Sequence, residues 1–147
     1  MASRSEIQID CTAAEVFDVV SDPSTFPEWL VGAQRIVHVD DNWPDVGSSF
    51  RHRIGWGPLR VPGSTTVRRV EPETLLELAA GMGPLGEAVV TFRLSERNGK
   101  TTVTIDEGPT RGIAAVAHRG ARPLIELALW GRNQASLETL KDIVESR

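Results

Sequence analysis

The chain has 147 residues, of which 40% are hydrophobic and 24% are charged, and its formal net charge is -4 at pH 7. This length fits one domain, 1–147, which can bury enough apolar surface to fold without disulfides or metal. Proteins that bind nucleic acid or anionic membranes usually carry a basic excess, so the acidic balance argues against both partners. The single cysteine cannot form an internal disulfide, and no apolar run approaches the roughly 18 residues of a membrane helix, so we expect a cytoplasmic protein without membrane insertion.

The first thirty residues predict one strand and two short helices. Residues 5–9 alternate apolar and polar side chains, which is typical of a strand with one buried face. Thr12 and Glu15 have the spacing of a capping box, which predicts that a helix begins here. Asp22 precedes a proline and should end that helix. Residues 25–30 then predict a second, short helical piece.

The middle of the chain predicts a run of strands, because the apolar period changes to two. The predicted strands are 34–40, 47–55, 63–71, 74–80, 87–96 and 101–107. Asn98-Gly99, between the last two, is the strongest signal for a tight hairpin. The short connections indicate an antiparallel meander rather than crossover units.

The C-terminal part predicts one long helix. Apolar residues recur at helical spacing at Leu124, Leu127, Trp130, Leu137, Leu140 and Val144. Pro123 fits near the start of this helix, and residues 111–121 predict one or two preceding helical turns. The predicted fold is α+β, with a seven-stranded curved antiparallel sheet around a long C-terminal helix and two short helices after strand 1. A single helix does not easily fill the interior of such a sheet, so we expect a cavity between them.

The same elements resemble the SRPBCC superfamily, which includes START-related, birch-pollen-allergen and polyketide cyclase/dehydrase-like proteins. Three stretches carry the resemblance. They are Ile7-Gln8-Ile9-Asp10 followed by residues 12–20, the segment from Ser21-Asp22-Pro23 to Pro27-Glu28-Trp29-Leu30, and Pro123-Leu124 followed by residues 133–141. The resemblance implies a helix-grip fold with a hydrophobic cavity, and a lipid-like, aromatic or polyketide-like ligand. It does not imply catalysis, because many members only bind, and the superfamily has no universal catalytic set to transfer.

Two titratable residues are candidates for catalysis. His52 shares one strand face with Phe50 and Ile54, so it should point inward, where it could transfer a proton or bond a ligand. The alternative is a histidine that is hydrogen-bonded within the core. Glu107 shares a face with Ile105 and is a candidate acid or base in an apolar cavity. Its alternative is a solvated position at the rim, where the predicted strand ends.

Large side chains and one amide are candidates for ligand contact. The apolar candidates are Trp29, Phe50, Trp56, Met82, Phe92 and Trp130, and plain core packing is the alternative for each. Asn133 follows Trp130 by one turn on the terminal helix, and it would be a polar anchor for a ligand if its side chain faces inward. Trp43 is expected to be a loop residue without a functional role.

Cofactor sites are not indicated. The stretch 81–86 spells G-x-G-x-x-G, but a dinucleotide site requires a helix at its end, and a β-rich run follows instead. The three histidines lie far apart in the sequence without ligand spacing, so we expect neither a metal nor another cofactor.

Three functional hypotheses remain open at this point. The first is the binding of a small hydrophobic ligand by a monomer or homodimer. The second is a polyketide cyclase/dehydrase-like enzyme that uses His52 and Glu107 as an acid/base pair. The third is a regulator that binds a partner protein and has a filled interior.

Overall fold

The computed structural model describes residues 3–29, 36–56, 59–81, 87–111 and 122–147. The N-terminal elements are strand β1 (Ser3–Ile9), helix α1 (Ala13–Val20), a 3-10 turn (Pro23–Thr25) and helix α2 (Phe26–Trp29). Six strands follow: β2 (Ile36–Val39), β3 (Ser49–Trp56), β4 (Leu59–Glu71), β5 (Leu75–Gly81), β6 (Glu87–Arg97) and β7 (Lys100–Arg111). Helix α3 (Arg122–Glu145) ends the fold. The helical turns predicted within 111–121 lie almost entirely outside the described residues.

All seven strands form one antiparallel sheet in the order β1-β7-β6-β5-β4-β3-β2. Strands β2 to β7 follow one another as a meander, and β1 adds to the far side of β7. Asn98 and Gly99 join β6 to β7 with φ values of 55° and 77°, the pair of positive angles that a type I′ hairpin turn requires. The predicted fold class is therefore confirmed.

The predicted capping box holds the start of α1. The Thr12 hydroxyl accepts the amide N–H of Glu15 at 3.3 Å and donates to the Glu15 carboxylate at 3.0 Å. The amide of Ala13 donates instead to Oε1 of Glu96 on β6, at 2.7 Å. This last bond ties the beginning of α1 to the sheet and fixes the helix across its inner face.

Two strands, β4 and β7, each extend four residues beyond one predicted end. Strand β4 begins at Leu59 rather than at residue 63, because its first residues pair with the end of β3. Pro62 lies within this pairing, opposite Arg53. Strand β7 continues past Glu107 to Arg111, because Gly108 and Pro109 pair with β6 instead of forming a turn. Glu107 therefore lies within a strand and not at its end.

The apolar core lies between the sheet, α1, α2 and the C-terminal half of α3. The fully buried members from the helices include Val16, Val20, Trp29, Leu137 and Leu140, and those from the sheet include Ile9, Leu76, Phe92, Val103 and Ile105. Each such aliphatic or aromatic side chain contributes about 1.5–3 kcal/mol through burial. Helix α3 packs mainly beside β1. Within the described residues, no helix is both long enough and apolar enough to span a lipid bilayer.

Candidate functional site

Small side chains occupy the inner face of the sheet away from this core. Ala80 of β5 is paired with Thr65 on one side and with Ala88 on the other. Thr65 is itself opposite Phe50, which belongs to the core, so this row of residues faces inward. Val90 lies two residues beyond Ala88 on the same face.

These inward positions are not fully covered by the described protein. Ala80, Ala88 and Val90, which we call the apolar floor, remain partly exposed to solvent. One row further along the same strands, Leu76 and Phe92 face each other and are both 0% exposed. The inner surface therefore changes from a packed core to a partly exposed apolar strip, in which Val90 still packs against the core.

A histidine lies at one side of the apolar floor. His52 of β3 has one ring nitrogen, Nε2, 2.9 Å from the hydroxyl of Thr65, and its ring packs against Phe50 with centroids 5.3 Å apart. Burial lowers the pKa of His52 below its ordinary value of 6.5, so the imidazole is neutral at neutral pH. Among the described residues Nδ1 has no partner, which leaves one nitrogen for another hydrogen bond.

A carboxylate lies at the opposite side. Glu107 of β7 accepts a hydrogen bond from the side-chain amide of Asn133 at 3.0 Å, and the guanidinium of Arg132 donates to the same oxygen, Oε2. The Glu107 side chain is 12% exposed and Asn133 is 1% exposed. The neighbouring Asp106 points to the outer face, where it pairs with Arg4 at 2.9 Å. Glu107 is thus the inward carboxylate, and Oε1 has no partner among the described residues.

The two candidate catalytic residues do not contact each other. Strands β4, β5 and β6 lie between β3, which carries His52, and β7, which carries Glu107. At about 4.8 Å for each strand, the two residues are about 19 Å apart across the strands. They are also displaced along the strands, because the row of Glu107, Val90 and Val67 meets the chain at Ser48, just before β3, rather than at His52. Each residue instead has its own partners, Thr65 for one and Arg132 with Asn133 for the other. Their roles in catalysis stay predictions.

The described aromatic candidates belong to the core. Trp29, Phe50 and Phe92 are 2%, 4% and 0% exposed. Trp29 contacts Phe92 edge-on with ring centroids 5.9 Å apart, and its indole N–H donates to Thr25 at 3.0 Å. Packing is the role that these contacts support, and ligand contact stays a prediction. The side chains of Trp56 and Trp130, and the whole of Met82, lie outside the described residues.

Two residues of this region, Thr65 and Arg132, were not predicted. Thr65 faces inward by the same alternation that selected His52, so its position could have been read from the sequence. Arg132 pairs with Glu107 across 25 positions of the chain, and no local pattern signals such a pair. Trp43 lies in the turn between β2 and β3, as expected of a loop residue, and it packs on Phe50 with centroids 5.0 Å apart and donates to the carbonyl of Ser21 at 2.7 Å.

A metal centre is not apparent in the described part of the chain, where no three His, Cys, Asp or Glu side chains converge.

The sequence matches, over residues 2–145, the profile of a family described as polyketide cyclase / dehydrase and lipid transport. The chain belongs to this family. The match confirms the resemblance to the SRPBCC superfamily that the N-terminal and C-terminal motifs indicated. No curated protein matches the sequence.

Solved structures with the same fold cover nearly all of the chain. The protein TTHA0849 from Thermus thermophilus has a TM-score of 0.72 and 13% identity, over 99% of this chain and 98% of that one. The di-domain ARO/CYC StfQ from the steffimycin biosynthetic pathway has a TM-score of 0.76 and 12% identity, over 99% of this chain and 51% of StfQ. The chain therefore spans about half the length of StfQ. Ara h 8.0201 has a TM-score of 0.68 and 13% identity, over 100% of this chain and 99% of that one. At these identities the likeness shows the fold.

Proposed function

We propose that this chain binds a hydrophobic small molecule, lipid-like, aromatic or polyketide-like, against the inner face of its sheet. The observation that carries the proposal is the apolar floor of Ala80, Ala88 and Val90, which faces inward and yet remains partly exposed. A concave apolar surface with a few polar groups beside it is the usual form of a small-molecule site. His52 and Glu107 supply such polar groups on its two sides.

The expected affinity follows from the area that such a ligand covers. A ligand that buries about 300 Å² of apolar surface gains about 7 kcal/mol at 25 cal/mol per Å². Association costs about 4 kcal/mol or more, which leaves about 3 kcal/mol and a dissociation constant in the millimolar range. A hydrogen bond to a charged group adds about 1.5–3 kcal/mol. Binding in the micromolar range therefore requires the polar groups as well as the floor.

A bulky substitution on the floor tests the proposal. Ala88→Leu fills space above the floor, whereas Ser95→Leu adds the same side chain to the exposed outer face of the same strand. Tryptophan fluorescence would follow titration with decanoate, 2-naphthol and 2-methoxynaphthalene. We expect at least one of them to bind the wild-type protein and Ser95→Leu equally, and Ala88→Leu at least about tenfold more weakly.

Thermal unfolding of both variants shows whether the fold is kept. Equal affinity of a folded Ala88→Leu variant, or the absence of binding to the wild-type protein, would contradict the proposal.

The second candidate function is a polyketide cyclase/dehydrase-like enzyme. Family membership and the fold shared with StfQ favour it. A neutral imidazole can accept a proton next to a carbonyl, which is the step that aldol and dehydration chemistry require. Because His52 and Glu107 are not in contact, each would act on a different part of one extended substrate.

Turnover of a poly-β-keto substrate mimic, followed by mass spectrometry of its products, tests this second function. Loss of a general base should reduce the rate about 10²- to 10⁴-fold in His52→Gln. His38→Gln, on the exposed side of β2, is the matched control and should keep the wild-type rate. Unchanged turnover in His52→Gln would exclude His52 as the base.

A further inference from the structure

The Glu107 side of the proposed site has an unusual distribution of hydrogen-bond donors. Both donors that reach the carboxylate, from Arg132 and Asn133, bond to Oε2. Oε1 has no partner within the described part of the chain, although the Glu107 side chain is only 12% exposed. A carboxylate oxygen can only accept, and a buried acceptor without a donor is costly. Within the described residues, the hydrogen bonds of Glu107 therefore lack one donor, at Oε1.

The two charged side chains that the structure describes at this end, Glu107 and Arg132, are paired with each other. The guanidinium of Arg132 is engaged by Glu107 and also donates to Oδ1 of Asn133 at 3.2 Å. A carboxylate on an incoming ligand would therefore meet the open oxygen of Glu107 and no free cation among the described residues. At the other side of the floor, His52 is uncharged at neutral pH because its burial lowers its pKa. Neither described side of the site attracts an anion.

We infer that the Glu107 end selects uncharged ligands with a hydroxyl donor, such as phenols and enols, over ligands that carry a carboxylate, such as fatty acids. The inference rests on the proposed binding function and specifies its ligand class. A hydroxyl that donates to Oε1 completes the hydrogen bonds of Glu107, whereas an ether or a hydrocarbon leaves Oε1 unpaired. A site with a buried polar group discriminates strongly against an analogue that lacks its partner.

Three probes that share one ring system test this selection. They are 2-naphthol, which donates a hydrogen bond, 2-methoxynaphthalene, which does not, and 2-naphthoate, which is an anion. NMR titration at pH 7.5 would measure each dissociation constant from the amide shifts of the floor residues. In the wild-type protein we expect 2-naphthol to bind at least about tenfold more tightly than 2-methoxynaphthalene, and 2-naphthoate to bind most weakly.

Two neighbouring variants locate the effect. In Glu107→Gln the preference for 2-naphthol should fall to about threefold or less, and 2-naphthoate should gain affinity because Arg132 has lost its carboxylate partner. Asp106→Asn removes the same charge from the outer face and should keep the wild-type ranking. If Glu107→Gln does not fold, the ranking of the three probes in the wild-type protein alone tests the selection of hydroxyl donors.

The outcomes separate this inference from the function on which it rests. Equal binding of the three probes at the floor, or tightest binding of 2-naphthoate, overturns the hydroxyl selection and leaves hydrophobic binding intact. The absence of shifts at the floor with every probe overturns both.

Discussion

Replacing Asn133 by leucine should destabilise the protein by a measurable and bounded amount. Asn133 is 1% exposed and donates to Glu107 at 3.0 Å. Leucine has a similar shape, so the main losses are the hydrogen bond that Asn133 donates to Glu107 and the longer one that it accepts from Arg132 at 3.2 Å. A hydrogen bond to a charged group is worth about 1.5–3 kcal/mol. Arg132 still donates to the same oxygen, so we expect a loss near the lower limit, about 1.5 kcal/mol. In a chain of this length that corresponds to a decrease in Tm of about 3–6 °C.

Chemical denaturation of a double-mutant cycle measures this interaction directly. Asn133→Leu, Glu107→Leu and the double variant should be non-additive, with a coupling of about 1 kcal/mol or more, because the double variant leaves neither polar group unpaired. Glu138→Leu is the matched control on the same helix, because the Glu138 side chain is exposed, and it should change the free energy of unfolding by less than about 0.5 kcal/mol. A cycle that is additive within about 0.5 kcal/mol would refute the pairing of Asn133 with Glu107, and with it the polar end of the site.

Three further predictions concern burial and backbone conformation. Because burial makes the pKa of His52 lower in the folded than in the unfolded chain, the free energy of unfolding should fall as the pH drops below 6.5. His52→Gln should flatten this pH dependence, and His38→Gln should retain it. Identical denaturation curves for both variants across about pH 5–7 would contradict the burial of His52. Phe92→Ala should cost about 3–5 kcal/mol in urea denaturation, since Phe92 is 0% exposed at the centre of the sheet, and a loss below about 1 kcal/mol would contradict that position. Gly99→Ala should destabilise the protein by about 1–2 kcal/mol, because the φ of Gly99 is 77°. Gly131→Ala in α3 should stabilise it by about 0.5–1 kcal/mol, because an added Cβ meets nothing within 4 Å and alanine favours the helix. Thermal unfolding measures both, and a change in stability of the same sign for both variants would contradict these backbone conformations.

The fold was predictable because its signals are local. The Thr12 capping box, the Asn98-Gly99 turn and the alternation along each strand depend on residues within a few positions of one another. Where local signals failed, pairing decided the outcome. Gly108 and Pro109 are typical turn residues, but hydrogen bonding to β6 carries β7 past them to Arg111. The sequence therefore left a rim position open as the alternative for Glu107, which lies on the inner face of a continuing strand.

The candidate site was predictable only in part. Alternation was enough to place His52 and Glu107 on inward faces, and it would also have placed Thr65. It could not show that Arg132 pairs with Glu107, because that contact depends on how α3 lies against the sheet. It also could not distinguish packing from ligand contact for Trp29, since both uses bury a large aromatic residue.

The crystal structure of the protein with bound 2-naphthol is the most direct test of the central claim. We predict that the ring lies against Ala80, Ala88 and Val90, with its hydroxyl within hydrogen-bond distance of Oε1 of Glu107. A ring bound elsewhere, or an inner face on which protein side chains cover the floor completely, would contradict binding at this site.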